Sequence, residues 1–311
     1  MSNESLEDRL QRLSTTAVAQ SAAKKRAELA VLLAAGQLAF WPESDRGIPN
    51  ELVRCAIFSA KNRREPRKVY RANAPLVVPI IGGGEVIYIG EELRQDDETV
   101  WMQLVHLSKE SCSEWVSFSP YSFLKAIRWP IKGDSYTRLL SSIRRLATSG
   151  IEVYSQRFDK GVSTKLVVKY EYAKNTEAQW RVQVFDKDDH LLFLFDKLYS
   201  RIDWDMRLAL PDGVATWLHS FFSSHREPFD HKIITLAAGA GLATDVPDSD
   251  QTEQAQLDSK RKERLRETKK TIRRALVALM GVGFLESFEI TRNGLVRVVR
   301  VVRAKRRKAV D

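Results

Sequence analysis

An α+β fold made of two copies of one unit, each a set of helices closed by a β-hairpin, is predicted by three observations in the 311-residue chain. The first is the run 258–302: a helix dense in Lys and Arg, broken at Gly281 and Gly283, then two apolar strands joined at Asn293-Gly294. The second is the same layout between Gly133 and Phe185. The third is a shared spacing. Leu139, Ile143 and Leu146 precede Gly150 and Ile151 as Ile272, Leu276 and Leu279 precede Gly283 and Phe284. Each set puts three apolar residues on one helical face, stops at glycine and passes into a strand. A tryptophan-bearing helix lies upstream of each, around Trp101 and Trp217. These features predict tandem winged helix-turn-helix units, an internal duplication, behind a helical and partly flexible N-terminal arm. The expected limits are 1–70 for the arm, 71–186 and 187–304 for the two units, and 305–311 for a basic tail.

The elements follow in order. Residues 1–35 read as helix, but Leu6, Leu10 and Leu13 form a stripe too narrow for a core of its own. Trp41-Pro42 and Ile48-Pro49-Asn50 punctuate the chain before a short helix at 51–58. Lys61, Arg63, Arg64, Arg67 and Lys68 then suit a phosphate backbone as well as they suit solvent, and the sequence leaves the two open. The β-branched runs 76–81 and 85–89 flank Gly82-Gly83-Gly84 as a hairpin. No Gly-Lys-Ser/Thr follows, which argues against a phosphate loop. A helix over 93–108 carries Leu93, Val100, Trp101, Leu104 and Leu107 on one side. A strand at 115–119 leads to a helix at 120–127 opened by Pro120, and a further helix at 133–148. Strands at 151–158, 164–172 and 179–185 make a large wing, with its first turn at Asp159-Lys160-Gly161.

The second unit begins with a helix at 188–195. Segments 204–210 and 214–223 lie either side of Pro211-Asp212-Gly213, and a short helix covers 231–238. Residues 245–256 are polar, contain Pro247 and read as a surface loop. The tail Lys305-Arg306-Arg307-Lys308 is expected to fray.

Composition narrows the function. A formal charge of +10 and a pI near 9.6 favour a polyanionic partner, with nucleic acid first. A hydrophobic content of 43% argues against global disorder. The two cysteines, Cys55 and Cys112, lack metal or disulfide spacing and fit a reducing cytoplasm. The apolar stretch 27–41 is too short to span a bilayer, and the N-terminus does not resemble a signal peptide. No Walker A sequence, His-x-His nicking motif or zinc cluster occurs. Residues 223–228 contain Ser, His and Glu but read as a capped helix end before Pro228. The expectation is a protein without catalysis, metal or cofactor.

Helical-wheel geometry names the DNA-facing candidates. Opposite Ile143, the first helix carries Arg138, Ser141 and Arg145, flanked by Thr137 and Arg144. The second carries Lys270 and Arg274, flanked by Arg266 and Arg273, with Lys260 and Lys262 nearer its start. Such a face fits the major groove, where Arg reads guanine and Ser, Thr and Lys take bases or phosphates. Lys160 and Arg292 are the expected wing-tip contacts. A charged helix face can equally be solvated; two in register, each with a wing, favour DNA.

Longer stretches resemble the TrfA-type plasmid replication initiators, across about 41–302. They include Trp41-Pro42-Glu43, Arg46, Pro49-Asn50, 54–58, 88–93, Asp96 and Val100-Trp101. The most specific are Ile202-Asp203-Trp204 with 207–210, and the stretch 223–228. The resemblance implies binding to repeated origin sites (iterons) in double-stranded DNA, opening of adjacent AT-rich DNA, and recruitment of the host replicative helicase and initiator. It also implies a monomer–dimer equilibrium that restrains copy number. Gln37, Leu38, Phe40 and Trp41 resemble the motif by which some members bind the sliding clamp; an anchor packing the arm onto the first unit is the other reading of the same residues. A winged-helix transcriptional regulator shares every residue-level feature and is the alternative function.

Overall fold

The computed structural model describes residues 41–111, 115–156, 159–174, 178–185, 194–195, 199–242 and 254–301. The first half starts with β1 (Asp45–Pro49), α1 (Asn50–Val53), β2 (Phe58–Ser59), β3 (Val69–Tyr70), β4 (Leu76–Pro79), β5 (Gly84–Glu91) and β6 (Leu93–Arg94). Helix α2 (Gln95–Ser111), β7 (Val116–Phe118), α3 (Pro120–Ala126) and α4 (Gly133–Thr148) follow. Two hairpins come next, β8 (Gly150–Ser155) with β9 (Lys160–Thr164), and β10 (Lys169–Glu171) with β11 (Trp180–Gln183). The second half runs β12 (Tyr199–Asp203), α5 (Trp204–Ala209), α6 (Val214–Ser223), β13 (His231–Lys232) and α7 (Ile233–Gly239). It closes with α8 (Gln254–Gly281), β14 (Leu285–Ile290) and β15 (Leu295–Arg300). The architecture is α+β.

One order of elements occurs twice. The series α2, β7, α3, α4 and a hairpin matches α6, β13, α7, α8 and a hairpin. The sheets match as well. In β10-β11-β7 and in β13-β15-β14, the returning hairpin strand sits centrally and pairs antiparallel with the short strand before the second helix. The spaced apolar residues are the reason: Leu139, Ile143, Leu146, Ile272, Leu276 and Leu279 are all buried. Each is worth roughly 1.5–3 kcal/mol of burial relative to exposure. Trp101 and Trp217 are buried too, and their indole nitrogens donate to backbone oxygens of Leu166 (2.8 Å) and Cys55 (3.3 Å).

The two helix ends differ. Gly283 takes φ +73° and lets the Phe284 amide bond back to Leu279 at 3.0 Å, a left-handed stop that favours glycine. Helix α4 instead ends on extended Ser149, whose hydroxyl caps the Leu146 carbonyl. Gly294, φ +74°, closes the β14–β15 turn expected at Asn293-Gly294.

Three expectations are revised. The large first wing is two hairpins, because Leu166 and Val167 leave the strand to bury in the core, with the Val167 amide on Leu146 O at 3.2 Å. The β8–β9 hairpin joins β5, which also carries β4, and only β10–β11 returns to β7. Residues 41–70, expected to belong to a helical and partly flexible arm, contribute Trp41, Ile48, Leu52, Val53, Ile57 and Phe58 to the core. Strand β1 pairs antiparallel with β12, Ile48 is fully buried, and Trp41 lies over Gly47, where a Cβ would meet its ring at 2.4 Å. Of the polar run 245–256, expected as a loop, 254–256 belong to α8, and 245–253 lie outside the described residues. Residues 1–40, most of the helix expected at 188–195, and the tail lie outside the described residues.

Candidate nucleic-acid interface

Helix α8 is 28 residues long, about 42 Å. Its core contacts begin only at Thr268, and from Ser259 to Glu267 every residue but Arg264 is exposed. The stretch 259–267 therefore lies mostly in solvent. Lys and Arg suit this position because they form helix well without needing burial. Lys260, Lys262, Arg266, Lys270, Arg273 and Arg274 are all exposed, as the wheel predicted. Lys262, Arg266, Lys270 and Arg273 share one outward stripe, to which the half-buried Lys269 adds a cation the wheel reading missed. Arg274 faces a different way, into a cleft that it lines with Thr271. Arg292 is exposed in the turn between β14 and β15.

The outward face of α4 lies elsewhere than the wheel placed it. Arg138 and Arg145, expected to face DNA, turn onto the acidic first turn of α2. Arg145 reaches buried Asp97 at 2.8 Å and Ser142 at 3.1 Å. Arg138 reaches Asp96 at 3.1 Å while its guanidinium stacks 3.7 Å over the Trp129 ring. Burial disfavours the Asp96 carboxylate, but Arg67 and Arg138 outweigh it and hold its pKa below the usual value. Buried Ser135 and Ser142 share the inward side, and a wheel centred on apolar residues does not reveal them. The exposed face that remains carries Thr137, Arg144 and Thr148, with Ser141 half-covered. Arg144 sits beside the hydroxyls of Tyr170 and Tyr172, whose hydrogen bonding raises its pKa.

Lys160 is exposed, but it opens β9 in the hairpin attached to β5 and is not on the β10–β11 hairpin. Of the clamp-motif residues, Gln37, Leu38 and Phe40 lie outside the described residues. Trp41 is buried, donates to His106 Nδ1 at 3.0 Å and stacks on Phe195. Around 223–228, Ser224 caps α6 and accepts from the Arg54 side chain, while His225 packs on Phe221. Among the described residues there is no group of three or more His, Cys, Asp or Glu that could hold a metal ion, and no helix long and apolar enough to cross a membrane.

Residues 2–278 match the family model described as TrfA protein. A relative from Escherichia coli, "Plasmid replication initiator protein TrfA", is 27% identical over 206 residues, 66% of this chain and 53% of that protein. The chain thus spans about half the length of the curated relative it matches. Among solved structures, domains 2 and 3 of RctB give a TM-score of 0.46 at 13% identity, covering 71% of this chain and 84% of that one. A second RctB structure of the same domains gives 0.43 at 14% identity, covering 68% and 80%. With its family model running from residue 2 to residue 278, the chain belongs to the TrfA protein family.

Proposed function

We propose that this chain initiates plasmid replication by binding repeated origin sites in double-stranded DNA through two winged-helix units. The observation that carries the reading is the repeated element order. Each copy ends in a helix with an outward polar face beside a hairpin: Thr137, Ser141 and Arg144 on α4, and Lys262, Arg266, Lys270 and Arg273 on α8. A helix of this kind enters the major groove while the hairpin meets the backbone. Membership of the TrfA family and the name of the Escherichia coli relative support initiation as the purpose of that binding.

In this reading the protein works by assembly, without catalysis. It marks the origin, favours opening of adjacent AT-rich DNA, and recruits the host helicase and initiator. A monomer–dimer balance sets how many copies are competent. Contact with the sliding clamp rests on Gln37, Leu38 and Phe40, because buried Trp41 serves as the anchor where the chain enters the core. The test is to place the gene and its flanking DNA on a plasmid that the host cannot otherwise replicate. Stable transformants are expected; their absence, with promoter binding retained, favours the transcriptional-regulator reading.

A further inference from the structure

The loop between β2 and β3 lies at the edge of a cleft of about 940 Å³ between the two halves. Lys61, Asn62 and Arg63 line one side of it, and Thr271 and Arg274 of α8 line another. The loop is fixed from inside by cations. Arg94, fully buried, donates through Nη1 to the carbonyls of Asn62 (2.5 Å) and Glu65 (2.9 Å), and through Nη2 to that of Pro66 (3.0 Å). Glu92 accepts from the same Nη2 at 2.9 Å and from Lys61 at 2.5 Å. Arg67 closes the loop on Asp97 (2.7 Å), Asp96 (3.1 Å) and the Glu92 carbonyl (2.6 Å). At the tip, the Asn62 side chain accepts from the Arg64 amide at 3.0 Å, a local turn.

Two arginine side chains take no part in this scaffold. Arg63 and Arg64 are exposed, and no ion pair to either is found among the described residues. A loop that merely needed to be soluble would not require a buried guanidinium to hold three of its carbonyls, since burying that charge is itself costly. Rigid placement matters when exposed cations must meet a partner at fixed positions without losing freedom on binding. Of the carboxylates on the cleft wall, Asp96 and Asp212 are answered by Arg138 at 3.1 and 3.6 Å, which leaves exposed Glu65 against the exposed cations Arg63 and Arg274.

We propose that Arg63 and Arg64 form a further DNA contact, gripping the phosphate backbone at the edge of the cleft. This rests on the reading of the chain as a DNA-binding initiator. The contact sets register and carries no base preference, as backbone contacts do. Arginine suits it because its planar fork meets phosphate oxygens two at a time.

The experiment is fluorescence anisotropy of the full chain on two labelled duplexes, one with the origin repeat and one with the same bases scrambled, over a salt series. Each lost phosphate contact removes about 0.9 from the slope of log K against log salt. The variant Arg63→Ala/Arg64→Ala is expected to lower the slope by about 1.8 on both duplexes. Its preference for the repeat and its melting temperature stay unchanged, and Arg63→Lys/Arg64→Lys restores most of the slope. A wild-type slope in the alanine variant overturns the proposal. If Lys262→Ala/Arg266→Ala then still abolishes repeat binding, only the loop contact is lost and the DNA reading stands. If the wild-type chain binds neither duplex, both fall.

Discussion

The Arg207 guanidinium, on α5 in the second half, meets Glu98, on α2 in the first, with Nη2 and Oε2 3.0 Å apart and both side chains shut off from solvent. Arg207 also donates to the Ser220 hydroxyl at 2.8 Å, so one side chain ties α5, α6 and α2 together. Burial raises the pKa of the Glu98 carboxyl, and Arg207 offsets part of that rise. The strand pair β1–β12 and the hydrogen bond from Trp204 Nε1 to Ala126 O (3.1 Å) cross between the same halves. The two outward helical faces are thereby held in one relation.

Removing half of that buried pair should be costly. Arg207→Ala leaves Glu98 without its cation and is expected to destabilise the chain by about 3–5 kcal/mol. Urea unfolding monitored by tryptophan fluorescence measures it. A loss under about 1 kcal/mol, the range of an exposed pair, would show that the pair does not hold the halves together.

Two neighbouring arginines on α4 should separate cleanly. Arg145→Ala removes one of the two cations on buried Asp97, leaving Arg67 at 2.7 Å, and is expected to cost about 1.5–3 kcal/mol of stability. Arg144→Ala touches an exposed side chain and should leave stability within about 0.5 kcal/mol. DNA affinity should fall in the Arg144 variant at unchanged melting temperature. The opposite pattern would return the outward face to where the apolar wheel put it.

Acid should weaken the fold before the carboxylates titrate. Burial, and then His225, lower the His231 pKa from 6.5 to about 4; burial and then Arg46 do the same for His106. A histidine depressed in the folded state is protonated first in the unfolded chain. Its contribution is therefore present above about pH 6.5 and is lost as pH falls toward about 4. Melting temperature should decline across that window, and His231→Phe, which packs among Phe221 and Phe229, should flatten part of the decline. An unchanged slope in that variant removes His231 from the account.

How much of this was legible in the sequence depended on what held each element. The spacing shared by Leu139, Ile143 and Leu146 with Ile272, Leu276 and Leu279 located both helices, because an apolar core follows helical periodicity directly. The exposure of Lys262, Arg266, Lys270 and Arg273 on α8 was legible for the same reason, since the ion pair shown there, Lys270 with Glu267 at 3.7 Å, lies within the helix; Arg274, placed on the same face by the wheel, lines the cleft instead. On α4 the wheel misplaced Arg138 and Arg145, since they answer Asp96 and Asp97 from a helix 42 and 48 residues away in the chain, and long-range ion pairs leave no periodic trace. The split of the first wing was hidden likewise. Leu166 and Val167 look like strand residues, and only the core that receives them shows that they interrupt it.

The two-part reader itself is tested most directly by hydroxyl-radical footprinting of the full chain on its origin repeats. Two protected tracts per repeat are predicted, about one helical turn (~34 Å) apart. Lys262→Ala/Arg266→Ala/Arg273→Ala should erase one tract, and Arg144→Ala should weaken the other. A single tract, or two that vanish together with every variant, would contradict the account.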